Sequence, residues 1–232
     1  MNKYNQIGIG LASWLEFEIR AGRESLFCES YLSNPIGQLL QATYKAHVVA
    51  EMEHKVLKER HQGAGRKPHF DFGVIGEANE LLAAIECKWL SQSKTLAKDI
   101  LIDLVRLRLL YPHYAKEAFL IVAGKMKHFK ELFEDKGLQP HPKQWNSHFL
   151  LPTENDNGSS IRFIPKARFR ESLFQQVLSP FQGLDVPQSI RIERAIPNPR
   201  SAVSNTYQVY VWRLKKPTTD DTFKPEAEYN IP

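Results

Sequence analysis

Cysteine is nearly absent from this chain, with two residues in 232, Cys28 and Cys87. Two cysteines build neither a disulfide framework nor, by themselves, a zinc cluster. A reducing, cytoplasmic setting is the expectation. Long apolar runs are missing too, and none approaches the roughly 20 residues that cross a bilayer, so no membrane partner is expected. The stretch from Ile7 to Leu15 runs at once into Glu16 and Glu18 with no small-residue cleavage site behind it. It reads as the start of a helix, not as a leader. The sequence also lacks G-x-x-x-x-G-K-[ST], G-x-G-x-x-G and G-x-S-x-G, which leaves ATPase, dinucleotide and serine-hydrolase chemistry without support. A net charge of +5 permits a polyanionic partner without demanding one.

What is present is a succession of periodic segments. Residues 8–31 read as helical from Leu11, Trp14, Leu15 and Ile19. Ser33-Asn34-Pro35 is expected to end that helix and cap a second, through Tyr44. From His47 to Leu57 the period becomes two, with Val48, Ala50 and Met52 on one side, which predicts a strand. A loop with Gly63, Gly65 and Pro68 follows. HFDFGVIG from His69 predicts a second strand, with Phe70, Phe72 and Val74 on one face and Asp71, Gly73 and Ile75 on the other. LLAAIECKWL, Leu81 to Leu90, predicts a third.

Residues 94–111 are the clearest helix, ended by Pro112. Leu96, Ile100, Leu104, Leu107 and Tyr111 form its apolar stripe, and Asp99, Asp103 and Arg106 fall on the side expected to meet solvent. AFLIVA from Ala118 reads as a strand buried on both faces, and a helix from Lys125 to Lys136 follows. Further on, short strands are expected at 149–151 and 161–164, a helix at 169–178, and a hairpin from Ser189–Ala195 and Thr206–Leu214. The tail from residue 217, rich in proline and polar residues, is expected to be poorly ordered. The fold class is therefore α/β, a mixed central sheet flanked by helices. Residues 1–145 form the core and 146–216 a β-rich C-terminal extension of the same domain.

Chemistry concentrates on two of these strands. Glu86 and Lys88 are two apart in a strand and so project from one face, while Ile85, Cys87 and Trp89 face the other way. Asp71 lies fifteen residues upstream on the preceding strand, and a hairpin of that length sets it beside Glu86. Aspartate is disfavoured in strands, which makes its place between Phe70 and Phe72 informative. Two carboxylates and one amine at a sheet edge suit hydrolysis of a phosphodiester. Such chemistry needs a divalent cation, carboxylates to hold it, and a positive group near the attacking water.

FDFGVIG and AAIECKW resemble the PD-(D/E)xK, or restriction-endonuclease-like, nuclease superfamily. Its core is a helix, three strands, a helix and a fourth strand, the order read here from Pro35 to Ala123. The resemblance implies a restriction-endonuclease-like fold and a magnesium- or manganese-dependent nuclease, with nucleic acid, DNA preferred, as partner. It implies Asp71 and Glu86 as metal ligands, the Cys87 backbone carbonyl as a further ligand, and Lys88 as the group orienting the attacking water. Glu29 is the candidate for the extra glutamate that many members place on the first helix, with Glu51 and Glu53 as rivals. No proline precedes Asp71, where His69-Phe70 stand. A role in restriction or phage defence follows by analogy with the fold, and a homodimer would suit cutting both strands of a duplex. Two basic groups, Arg60, Arg66 and Lys67, and Arg162, Lys166, Arg168 and Arg170, are candidate phosphate contacts.

Overall fold

The computed structural model describes residues 2–59, 67–91, 96–135, 138, 149–150, 159–163, 171–195, 206–216 and 221–229. Helix α1 spans Lys3–Arg20 and α2 spans Glu29–Tyr44. Strand β1 is His47–Glu53, the short α3 is Lys55–Lys58, β2 is His69–Ile75 and β3 is Leu81–Leu90. Helix α4 is Leu96–Leu110, β4 is Ala115–Lys125 and α5 is Met126–Phe133. Then come β5 at Ser159–Arg162, α6 at Glu171–Leu178, β6 at Val186–Pro187, β7 at Ser189–Ala195, β8 at Tyr207–Leu214, β9 at Thr222–Phe223 and α7 at Pro225–Tyr229.

Seven strands form one mixed sheet in the order β1-β2-β3-β4-β8-β7-β5. Among the described residues only β3 and β4 run parallel, joined by α4, and the other neighbours are antiparallel. The parallel pair needs a long crossover and α4 supplies it. The expected hairpin of β7 and β8 forms, and it extends the central sheet beyond β4. Two apolar layers cover the two faces. Ile7, Leu11 and Leu15 of α1 and Leu32, Ile36 and Leu40 of α2 pack on Ile85, Cys87, Phe119, Ile121 and Val211. On the reverse, Ile100, Leu104 and Leu107 of α4 pack with α6 on Ala84, Leu120, Val122 and Trp212. Strand β4 feeds both layers alternately, so Ala118 to Gly124 are all buried, as the continuous run AFLIVA requires.

Several expectations are corrected. The first helix stops at Arg20, where the chain turns through Gly22 at φ +73°. Helix α2 already begins at Glu29, so Pro35 lies inside it rather than at its start. A proline there gives up one helix hydrogen bond; burial of Leu32, Pro35, Ile36 and Leu40 holds the helix together. Strand β1 ends at Glu53 and His54 caps α3, its ring accepting the Leu57 N–H at 3.2 Å. Phe149 and Leu150 form a turn and not a strand. Of the C-terminal tail, residues 221–229 are tied down. Thr222–Phe223 pairs with Val186–Pro187, and Phe223 and Tyr229 are buried in the core. Two aromatic anchors outweigh the polar composition around them.

The most consequential correction concerns β1 and β2. Phe70 does not share a face with Phe72 and Val74. It belongs to the α4 layer with Met52, and the other two belong to the α2 layer. Glu51 sits in the left-handed region at φ +51°, and the β1–β2 register skips the Glu51–Asp71 position. That local irregularity interrupts the alternation in both strands at Asp71.

Candidate active site

The β2–β3 ladder runs from Ile75 back to Phe72 opposite Ile85 and goes no further. The next residue of β2 is Asp71. Its Oδ2 accepts the Cys87 backbone N–H at 2.6 Å, in place of a strand-to-strand bond. A carboxylate has thus replaced a backbone acceptor where the two strands part. In a strand the N–H and C=O of one residue leave on the same side, so the Cys87 carbonyl lies along this opened edge as well. The Cys87 thiol is buried in the α2 layer, where burial pushes its pKa well up. Sulfur is no candidate ligand there.

Glu86 and Lys88 project from the face of β3 that α4 covers, as their spacing predicts. Glu86 is 3 % exposed, and its Oε1 lies 3.1 Å from Arg106 Nε. Lys88 Nζ lies 3.0 Å from Asp103 Oδ2 and 3.9 Å from Glu29 Oε2. Glu29, in the first turn of α2, also accepts the Trp89 N–H at 3.4 Å. The structure therefore gathers Asp71, Glu86, Lys88 and Glu29 around the end of β3. Of the rivals to Glu29, Glu53 is engaged by Lys58 and Lys67 at 3.2 and 3.5 Å. Glu51 is exposed at the irregular position of β1. His69 turns its ring to the Lys67 carbonyl and gives its own carbonyl to Arg106. Arg60, Arg66, Lys166, Arg168 and Arg170 lie outside the described residues.

Asp103 and Arg106 were placed on the solvent side of α4 by the sequence, and this is wrong. Asp103 is 4 % exposed, and Arg106 crosses the site to reach Glu86, the His69 carbonyl and, at 3.6 Å, Asp103 Oδ1. The signal was present. Asp103 lies three residues after Ile100 and four before Leu107, on the buried stripe itself. The Arg106 carbonyl is held too, since His54 Nε2 meets it at 2.9 Å. His54 Nδ1 already accepts from Leu57, so Nε2 carries the proton and the ring is neutral.

Among the described residues, four carboxylates face two cations here. Burial pushes the Glu86 carboxyl well above the usual range; Asp103 and Asp71 push the same way against Arg106 and Lys88. Burial likewise raises Asp103 to about 6, although Lys88 and Arg106 oppose it. For Lys88 burial pulls the ammonium down, but Asp103, Glu29 and Glu86 outweigh it and hold the pKa above its ordinary value. Glu86 Oε1 is buried and, among the described residues, accepts no hydrogen bond; its contact with Arg106 is an ion pair outside hydrogen-bonding geometry. Buried acceptors of this kind carry a cost that calls for an explanation.

Among the described residues, no three carboxylate, imidazole or thiol groups form a ready cluster for a metal. Asp71 is turned onto the Cys87 amide and Glu86 onto Arg106. Magnesium, however, is usually held by one or two carboxylates, with water and substrate oxygens completing the shell. Asp71, Glu86 with its unbonded Oε1, and the Cys87 carbonyl are a hard-oxygen set that fits such an ion in kind. No protein-family model, curated protein or solved structure matches the chain. Among the described residues, no helix is long and apolar enough to cross a membrane.

Proposed function

We propose that the chain is a metal-dependent nuclease of the PD-(D/E)xK type, with a restriction-endonuclease-like core, that hydrolyses phosphodiester bonds in nucleic acid. DNA is the preferred substrate, and magnesium or manganese the ion. The observation that carries this reading is that Asp71 reaches the Cys87 amide, between Glu86 and Lys88 in the chain, where the β2–β3 ladder opens.

In this reading Asp71, Glu86 and the Cys87 carbonyl hold the ion. The bound ion supplies charge neutralisation at the phosphate and a lowered pKa for its water. Lys88 stays an ammonium, because the surrounding carboxylates hold its proton on Nζ. It therefore acts as a donor that orients the attacking water and the phosphate oxygen, and not as a base. Asp103 fixes the Lys88 ammonium from α4 and Glu29 fixes it from α2. The surplus of carboxylates supports a role for a further cation.

A second reading has one observation in its favour. Arg106 already pairs with Glu86, as it would in a domain that keeps the fold for binding alone. One experiment separates the two. Purified protein is incubated with linear and circular DNA and with RNA, in magnesium, manganese or EDTA. Cleavage that disappears on chelation and in Asp71→Ala and Lys88→Ala supports the nuclease. Metal-independent binding without cleavage, unchanged in both variants, overturns it in favour of a binding module.

A further inference from the structure

Resting on the nuclease reading, we propose that Arg106 is the resident counter-ion of the carboxylate cluster, and that a divalent cation and Arg106 compete for Glu86. The guanidinium stands where a cation is needed, with Nε 3.1 Å from Glu86 Oε1. Yet Glu86 Oε1 accepts no hydrogen bond from it. The pair therefore has the Coulombic attraction without the directional bond that makes an arginine–carboxylate contact strong. Lys88 is not the competitor, because Asp103 holds it at 3.0 Å.

Exposure is divided unequally between the two partners. The Glu86 side chain is 4 % exposed and that of Arg106 is 24 % exposed. Glu86 is covered almost completely, while part of the Arg106 side chain reaches solvent. Its backbone stays fixed, because the Arg106 carbonyl meets His54 Nε2 within α4. Exchange thus moves one side chain and no helix. A released guanidinium faces the same opening as the ion, with a charge suited to a phosphate oxygen. A polyanion that draws Arg106 outward would free Glu86 for metal, and by linkage bound metal would strengthen polyanion binding equally. Arg106 is in this sense a positioning residue, one that couples the order in which ion and substrate settle.

The test is manganese binding by calorimetry on the full chain without nucleic acid, for wild type, Arg106→Gln, Arg106→Lys and Glu86→Gln. Arg106→Gln is expected to bind at least about tenfold more tightly than wild type, within the ordinary range of coupling between sites. Arg106→Lys, which keeps the charge, should stay near wild type, and Glu86→Gln should lose the site. Arg106→Gln binding no tighter than a wild type that binds manganese and cleaves DNA overturns the exchange and leaves the nuclease standing. If no variant binds manganese, both fall. Should Arg106→Gln fail to fold, the Arg106 Nε–H resonance of wild type gives the answer during a magnesium titration. It should shift and saturate at the calorimetric affinity; an unmoved resonance in a protein that binds magnesium overturns the proposal.

Discussion

Lowering the pH should weaken this fold through one buried imidazole that lies behind Arg106. His54 is fully buried at the N-cap of α3, edge-on to Phe70. Burial lowers its pKa from 6.5 to about 4; the nearby Arg106 charge acts in the same direction, and the bond to the Arg106 carbonyl opposes both. The folded pKa lies below the unfolded one, so the unfolded chain binds the proton more readily between the two values. Stability contributed by neutral His54 is complete above 6.5 and is lost as pH falls towards 4. At about 1.36 kcal/mol per unit, the whole shift is worth about 3 kcal/mol, of which about 2 has gone by pH 5.

The assay is urea unfolding of wild type and His54→Gln at pH 7.5, 6 and 5. Every other titrating group is shared, so the difference between the two curves isolates the imidazole. At pH 7.5 the variant should be less stable by about 1–3 kcal/mol, for the loss of two buried hydrogen bonds. At pH 5 that gap should close by about 2 kcal/mol. Two curves that stay parallel from pH 7.5 to 5 would refute the argument, because they would mean that folding does not suppress protonation of His54.

Asp103→Asn in EDTA at pH 8 should stabilise the fold, because burial disfavours the Asp103 carboxylate by more than Lys88 and Arg106 favour it, while cleavage falls; a loss of stability in urea unfolding would contradict this. Lys88→Ala should lower the cleavage rate by about 10²–10³-fold in single-turnover assays with saturating magnesium, and a rate within a few fold of wild type would remove Lys88 from the chemistry. Gly124→Ala would set a Cβ 2.6 Å from Leu90 Cβ and 3.0 Å from the Leu90 carbonyl. It should cost about 1–3 kcal/mol of stability, and an unchanged urea midpoint would show that β3 and β4 are free to spread. Magnesium at about 100 times its dissociation constant should raise wild-type stability by about 2.7 kcal/mol; equal thermal stabilisation of Glu86→Gln would place the ion elsewhere.

The sequence carried the order of the longer elements from α1 to β4 and the shared face of Glu86 and Lys88, because these rest on simple periods. Glu86 and Lys88 are legible since β3 alternates between the two layers from Ala83 onward, and β4 is legible since both its faces are buried. Phe70 was not, because the irregularity at Glu51 depends on a left-handed backbone that no side-chain pattern announces. Asp103 and Arg106 were misread for a different reason. Helix α4 is buried on most sides, between the sheet and α6, so its apolar residues spread beyond the stripe that runs through Asp103. Charges on such a helix look like its wet side, when burial beside partners of opposite sign is what permits them.

That misreading bears on the site as a whole. A strand pair closed by backbone bonds has no room for a cation, because its N–H and C=O groups are already spent. Here the closure stops at Phe72–Ile85 and a side-chain carboxylate takes the next amide. The same irregular position sends Phe70 to the α4 side, where it packs edge-on against His54, and His54 in turn holds the carbonyl of Arg106. The break in the ladder, the buried neutral imidazole and the arginine over Glu86 are thus one connected arrangement. Straightening β2 would restore backbone bonding, but it would take away both the opening at Asp71 and the support that aims Arg106.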